Sequence, residues 1–293
     1  MEKLSECPIC NSIHLIDFQR VTDYFGTQEE FQVVQCKNCN FLFTNPRPGS
    51  REITKYYKSG NYISHGDKGN MLQDFIYRQI QLLNFKYKNR LIRKYIKSRR
   101  SSLLDFGCGS GNWLNYMSKK SWNGVGIEPD DQARLRAKTP LLNIYPSTES
   151  MPHDSKFQVI TAFHVLEHVH NLNDTLVQLI AKLEPNGILM IALPNPLAYD
   201  ARQYGKYWAG WDIPRHLYHF KPNDVSYLAT KVGLKIVNKY PLYWDSFYVS
   251  LLSEKYKGNS FSLLRALYQG LKSNVKAYKN DNFSSLIYVL QAT

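Results

Sequence analysis

The sequence predicts an α/β protein with a doubly wound parallel sheet. A small cysteine-bearing module precedes the sheet, and helices are inserted near the C-terminus. Three observations carry this. Strand-like and helix-like segments alternate regularly from residue 101 onward, the mark of right-handed βαβ units. A glycine-rich loop, LDFGCGSGNW, follows the first of those strands. Two CxxC pairs, CPIC and CKNC, stand ahead of residue 45.

Residues 1–45 read as a zinc-ribbon-like module. Cys7, Cys10, Cys36 and Cys39 form the two pairs. Structural zinc takes four soft ligands at tetrahedral corners; each CxxC turn offers two thiolates on one knuckle, and two knuckles close the site. The 25 residues between Cys10 and Cys36 hold two strand-like runs, HLIDFQRV and EEFQVVQC, expected to form a hairpin between the knuckles. A redox CxxC would occur once, beside a βαβ unit. The start, MEKLSECPIC, lacks the apolar core of a secretion signal, so the expected location is cytoplasmic, where disulfides are rare.

Residues 46–100 read as a linker, from the Pro/Gly segment NPRPGS, followed by a helical stretch. Ile76, Ile80, Leu83, Tyr87, Leu91 and Tyr95 recur at steps of three or four as one apolar stripe. From Lys86 to Arg100 there are eight basic residues and no acidic one. That run reads first as a solvated helix face, and second as a face contacting phosphate.

From 101 to 293 the elements follow in order. SLLDF is a strand, GNWLNYMSKK a helix, WNGVGIE a strand, DDQARLRAK a helix and LLNIY a strand. FQVITAFH is the fourth strand, NLNDTLVQLIAKL an amphipathic helix ended by the turn EPNG, and ILMIALP the fifth strand. PNDVSYLATKVG is a helix with Pro222 near its start. LKIVNKY and SLIYVLQA are the last strands, with a basic helical stretch at about 250–280 between them.

The glycine loop narrows the ligand. Asp105, Gly107, Gly109 and Gly111 form a GxGxG pattern with an acid two residues ahead. A dinucleotide fingerprint needs glycine at 112, which is Asn, and no GKS or GKT follows to make a P-loop. The pattern therefore suits a nucleoside with a charged tail: Asp105 for an ammonium, glycine amides for a carboxylate. Glu128, beside Pro129 at the tip of the second strand, is placed to chelate ribose hydroxyls.

On these motifs the block 101–193 resembles the class I S-adenosylmethionine-dependent methyltransferases. LDFGCGSG resembles their glycine motif, Glu128 their ribose-binding acid, FQVITAFHVLEHV their fourth-strand segment and LEPNGILMIALP their fifth-strand entry. The resemblance implies a seven-stranded sheet whose last hairpin is antiparallel, with residues 242–284 inserted in that hairpin. It implies S-adenosylmethionine bound by Asp105, Gly107, Cys108, Gly109, Gly111, Glu128 and Pro129, with His164 flanking the sulfonium. Many relatives hold adenine with an acid and LPF after the third strand. Here YPSTESMPHD stands instead, so Ser147, Thr148 or Glu149 takes that role, and Glu149 is the acid among them.

HVLEHVH places His164, Glu167, His168 and His170 at the end of the fourth strand, where open α/β sheets bind ligands. It is similar to an ExxEH segment of quinone-pathway O-methyltransferases that can bind a divalent metal, with His164 in place of the first Glu. The bland alternative is capping and packing, with His168 bonded to backbone. WAGWDIPRHLYHFKP resembles a segment of bacterial methyltransferases that carry an N-terminal CxxC module and look like enzymes of polysaccharide or secondary-metabolite assembly. Asp212, Arg215, His216 and His219 are its candidates. His216 is the chosen base, because histidine titrates near neutrality, with Asp212 and Arg215 to orient it and hold an anionic acceptor group. The bland alternative makes PRHL a lid closed by an Asp–Arg pair.

Lys plus Arg number 37 against 24 Asp plus Glu, a formal net charge of +13 that suits an anionic partner such as a nucleotide, nucleic acid, phosphosugar or membrane surface. No run of roughly 18 apolar residues predicts a membrane span. The leading expectation is a methyltransferase acting on an oxygen of a sugar, nucleotide-sugar or lipid-linked small molecule. The second is an RNA methyltransferase with a zinc ribbon, although no basic groove interleaved with aromatics marks nucleic acid. The third is a non-catalytic nucleoside-binding module. Oligomeric state is not legible.

Overall fold

The computed structural model describes residues 1–57, 71–98, 101–137 and 142–292; side chains of residues 71–77 are not described. Three strands open the chain: β1 (Leu15–Thr22), β2 (Glu30–Cys36) and β3 (Leu42–Thr44). The short α1 (Thr54–Tyr57) and the long α2 (Met71–Tyr95) follow. The alternating region begins with β4 (Ser101–Phe106), α3 (Asn112–Ser118), β5 (Trp122–Ile127), α4 (Asp131–Arg136) and β6 (Asn143–Tyr145). It continues with β7 (Phe157–Phe163), α5 (Leu172–Ala181), β8 (Leu183–Pro194) and α6 (Tyr199–Tyr204). The chain ends with β9 (Tyr218–His219), α7 (Pro222–Lys231), β10 (Leu234–Pro241), α8 (Asp245–Tyr256), α9 (Ser262–Ala277) and β11 (Ser285–Ala292).

The main sheet has seven strands in the order β10-β11-β8-β7-β4-β5-β6. Strands β4 to β8 pair in parallel, and β11 runs antiparallel between β8 and β10. This is the doubly wound sheet with an antiparallel last hairpin that the sequence led one to expect, and α8 and α9 occupy the insertion. Strand order reverses between β4 and β7. A crevice opens at such a switch point beyond the carboxyl ends of those two strands.

Both faces of the sheet are covered. Leu91 and Ile92 of α2 pack on one face with Trp113, Met117, Ile188 and Ile287. The expected α2 stripe is only half used: Leu83 is exposed, and the side chain of Ile76 lies outside the described residues. The turn expected at EPNG is absorbed into β8, which starts irregularly, with Asn186 at φ 64° and a register shift opposite Phe157. Leu141, expected to open β6, and residues 58–70, 99 and 100 of the expected helical stretch also lie outside the described residues.

The cysteine-bearing segment forms the expected hairpin, β1 against β2. It is also tied to the rest of the chain. β3 pairs with β2 on one side and with β9, from the PRHLYH segment, on the other. Ile9, Phe41 and Phe43 join one apolar core with Leu189, Phe220 and Tyr288. NPRPGS, read as a linker, is not free chain: Asn45 and Arg47 are buried. Arg47 donates to Glu2 Oε1 at 2.6 Å, to the Tyr218 hydroxyl at 3.0 Å and to the His170 carbonyl at 3.3 Å. A buried guanidinium needs these acceptors, and they come from both sides of the supposed linker.

Candidate active site

The glycine loop sits at the carboxyl end of β4. Gly107, Gly109 and Gly111 all take left-handed φ values, 73°, 56° and 73°, which a side chain disfavours. At Gly107 a Cβ would also strike Val165, whereas nothing lies within 4 Å of the position a Cβ would take at Gly109. The loop thus leaves open backbone beside Gly109, as a closely bound ligand requires. Glu128, at the end of β5, accepts from the Gly109 amide at 2.9 Å and from the Asp130 amide at 2.9 Å. It therefore fixes the loop, at the position that the resemblance assigns to ribose.

Asp105 is buried and accepts from the Thr161 hydroxyl at 2.7 Å. Burial pushes its carboxyl up to about 7, against the pull of Thr161 and the positive charge of Lys88. Lys88 was not singled out from the sequence. It comes from the basic run of α2, and its ammonium lies 4.0 Å from the centre of the Phe163 ring, within the influence of Asp105 and Asp245. Cys108 is buried, its thiol pushed up by that burial, and it packs where a Cβ on Gly126 would collide with its sulfur. That environment suits packing rather than nucleophilic attack.

After β6, Thr148 turns inward onto Gln178 at 3.0 Å, Ser147 pairs with Ser150 at 3.0 Å, and exposed Glu149 accepts from the Gln178 amide at 3.0 Å. Gln178 of α5 thus organises the segment that the resemblance assigns to adenine. Pro129 is exposed beside Glu128.

His164 ends β7 in a left-handed conformation, φ 58°, uncommon for a residue with a side chain. Its Nε2 lies 3.1 Å from Asp245 and its Nδ1 3.5 Å from Glu167. Burial alone would depress the imidazole, but these two carboxylates raise it to about 9. Asp245 comes from the inserted α8, so its part in the site was not visible in the motif.

Glu167 is fully buried, and among the described residues neither carboxylate oxygen has a hydrogen-bond partner. Burial favours its neutral form, yet His164, with His216 nearby, holds the carboxyl below its ordinary value. One side-chain atom from each of Glu167, His168 and His216 lies within 4.8 Å of the others. His168 Nδ1 is 3.0 Å from the Arg215 carbonyl and 2.9 Å from the Tyr57 hydroxyl. Burial, with the nearby charge of His216, pushes His168 down to about 4, so it is neutral in ordinary conditions.

His216 stacks edge-on against His168, ring centres 4.6 Å apart. Its Nδ1 lies 3.0 Å from the Gly210 carbonyl, which can only accept, so Nδ1 carries a hydrogen and Nε2 is the nitrogen left to exchange a proton. Nε2 is 3.9 Å from Asp212 Oδ2. The expectation that Arg215 holds an anionic acceptor is corrected. Arg215 is buried and spent on Asp212 at 2.7 Å, Asp23 at 2.9 Å and the Tyr56 carbonyl at 3.1 Å. The desolvation cost of a buried cation demands such partners. His219 is likewise buried, 3.3 Å from the Thr44 hydroxyl and edge-on to Trp211, and burial pushes it well below its ordinary range. His170 Nε2 is 3.0 Å from the Pro48 carbonyl.

At the N-terminus the four cysteines converge, each sulfur within 4.8 Å of the others. Cys7 and Cys39 sulfurs are 3.6 Å apart, and those of Cys10 and Cys36 3.5 Å. Burial pushes the Cys36 thiol up, but the Cys39 and Asn38 amides outweigh it and bring it down to about 7.

The family model described as a methyltransferase domain matches residues 76–239. The ubiquinone biosynthesis O-methyltransferase of Rickettsia canadensis is 24% identical over 171 residues, 53% of this chain and 72% of that one. Its counterpart from Rickettsia prowazekii is 23% identical over 202 residues, covering 64% and 78%. Among solved structures, a sarcosine dimethylglycine methyltransferase described as putative, from Galdieria sulphuraria, aligns with a TM-score of 0.51 at 13% identity, over 73% of this chain and 86% of that one. That likeness shows the fold. The family match spans the glycine loop, the Glu128 tip and the histidine segment described above, and the chain belongs to the methyltransferase-domain family as a class I S-adenosylmethionine-dependent methyltransferase.

Proposed function

We propose that this methyltransferase acts on an oxygen of a small-molecule acceptor: a hydroxyl of a sugar, nucleotide-sugar or lipid-linked intermediate. The observation that carries the reading is the Glu167 carboxylate, buried without a hydrogen bond among the described residues and set against His216 and His168. A carboxylate in that position is suited to stabilise an imidazolium that forms when a proton is taken from a hydroxyl. The two Rickettsia relatives, named as O-methyltransferases, support oxygen as the atom methylated.

The residues present fit S-adenosylmethionine. Open backbone at Gly109 admits the ligand, Glu128 is offered to ribose hydroxyls, and ionised Asp105 to the ammonium. Ser147, Thr148 and Glu149 border the adenine side, with Cys108 packed beneath the loop. When bound, the cofactor supplies a methyl group on cationic sulfur. The protein's part is alignment and proton removal. His216 Nε2 takes the acceptor's hydroxyl proton, while Asp212 Oδ2 and Glu167 face the imidazolium so formed. His164, held between Asp245 and Glu167, fixes the end of β7 beside the cofactor.

A second reading is favoured by the close approach of Glu167, His168 and His216: a divalent cation held there would lower the acceptor hydroxyl's pKa instead. We also propose that Cys7, Cys10, Cys36 and Cys39 hold structural zinc. Two thiolates each ~2.3 Å from one zinc at tetrahedral angles stand roughly 3.8 Å apart, close to the separations found here. Transfer of a radiolabelled methyl to separate pools of nucleotide-sugars, lipid extract and total RNA tests the acceptor class. Label confined to RNA would overturn the small-molecule reading.

A further inference from the structure

The helix α9 is built inside out for a water-exposed surface. The face it buries is small and polar: Ala266, Gly270, Ser273, Asn274 and Ala277. Gly270 meets α8 so closely that a Cβ there would lie 2.6 Å from the Phe247 ring. Ser273 donates to Asp200 at 2.6 Å, and the Asn274 amide donates to the Tyr243 carbonyl at 2.9 Å. These bonds fix which side faces inward. The outward side carries Leu263, Leu264, Leu267, Leu271 and Val275, with Phe261 just ahead, all exposed; Leu264 is 66% accessible. At 100° per residue they fall on one continuous stripe. Large contiguous apolar patches on water-soluble surfaces mark interaction sites.

The flank of that stripe is positively charged. Arg265, Lys272 and Lys276 lie on its edge, with Lys279 just beyond the helix. Between Lys255 and Asn280 there are six basic residues and no acidic one. Beside the end of α9, Arg202, Lys276 and Lys279 join Tyr199, Gln203 and Asn280 in a groove of about 410 Å³. A groove with three cations at the border of an apolar stripe suits phosphate headgroups next to acyl chains.

We infer that α9 docks this enzyme on an anionic lipid bilayer, its leucine stripe in the acyl boundary and its basic edge on the headgroups. An amphipathic helix lying in the plane of the interface, rich in Lys and Arg on its polar flank, binds anionic membranes in this way. A second copy of the chain is the other apolar occupant, but an antiparallel two-fold contact would set the basic flanks of the two copies on the same side. An anionic surface neutralises them instead. No helix among the described residues is long and apolar enough to cross a membrane, so this contact is peripheral. The inference concerns where the enzyme works and does not rest on the choice of acceptor.

Flotation of the full chain with vesicles tests it, using phosphatidylcholine alone and phosphatidylcholine with phosphatidylglycerol. Binding is expected to the anionic vesicles, falling steeply as salt rises from ~0.01 to ~1 M. Leu267→Glu with Leu271→Glu should abolish it. Lys276→Glu with Lys279→Glu should weaken it at least tenfold while the leucine stripe is intact. Both pairs lie on the exposed face and should leave S-adenosylmethionine affinity unchanged, which confirms the fold is kept. Equal binding by wild type and the leucine variant overturns the proposal. So does a wild-type dimer in light scattering that the leucine variant breaks, with no vesicle binding by either.

Discussion

His164 Nε2 stands 3.1 Å from the Asp245 carboxylate, joining the left-handed end of β7 to the first turn of the inserted helix α8. The pair couples the site to a segment that the family motifs do not contain. Asp245 and Glu167 together raise the imidazole from 6.5 to about 9 despite burial.

A pH dependence follows from that shift. A histidine with a raised folded pKa stabilises the protein fully below its unfolded pKa, and that stabilisation is lost as pH rises through the folded value. His164 therefore contributes below 6.5, and its contribution disappears on passing about 9. The histidine signal in NMR should titrate near 9 in the wild type and move down in Asp245→Asn. The stability lost between pH 6.5 and 9 should shrink in the same variant. An unmoved titration in Asp245→Asn would show that the pair does not form.

The cofactor residues give a second expectation. Glu128 braces the Gly109 amide, so Glu128→Ala should loosen the loop as well as remove the proposed ribose contact. Glu128→Ala and Asp105→Ala should each weaken S-adenosylmethionine binding by about 1–3 kcal/mol, the scale of a charged hydrogen bond. Because burial raises Asp105 to about 7, affinity should also fall as pH drops through that value, where the carboxyl takes up a proton. Asp105→Asn should remove that pH dependence. Calorimetric titration measures all three; unchanged affinity in both alanine variants would sink the assignment.

Metal content tests the cysteine cluster. About one zinc per chain is expected, and Cys36→Ser should lose it. The loss should reach beyond the ribbon. β3 pairs with β9, and Thr44 donates to the His216 carbonyl at 2.8 Å, so disorder in the ribbon would loosen the loop that holds His216. Turnover should fall together with zinc content. A zinc-free protein with an ordered N-terminal segment would remove the metal from the account.

Much of this was legible in the residues because the signals are local. Alternation fixes βαβ units, GxGxG marks the turn after β4, and CxxC spacing brings four thiols together. What was missed depends on long-range placement. Lys88 looked like one more cation on a solvated helix, and only the packing of α2 on the sheet carries it to Asp105. Asp245 sits in an insertion with no motif of its own. Arg215 seemed free to hold an anion because its partner Asp23 lies in the N-terminal segment, 192 residues away in the chain. Pairing of β3 with β9 was hidden for the same reason: a two-residue strand has no periodicity to read.

The last expectation concerns the proton. The Gly210 carbonyl takes the Nδ1 hydrogen of His216, so Nε2, 3.9 Å from Asp212 Oδ2, is the nitrogen left to exchange a proton, with a Glu167 carboxylate oxygen within 4.8 Å of ring nitrogens of His168 and His216. His216→Ala should lower turnover by about 10²–10⁴-fold, the usual worth of general base catalysis, with S-adenosylmethionine affinity unchanged. Glu167→Gln keeps the shape of the side chain but removes the charge that would stabilise the imidazolium, so it too should lower turnover. Asp212→Asn is a poorer test, because Asp212 also holds buried Arg215 and its loss would disturb the loop. A fall under threefold in His216→Ala, measured with an identified acceptor, would take His216 out of the chemistry. Chelators separate the two readings of the cluster. Insensitivity supports a proton taken directly by His216, whereas turnover lost while the cysteine-bound zinc stays in place, and restored by magnesium or manganese, would place a cation among Glu167, His168 and His216.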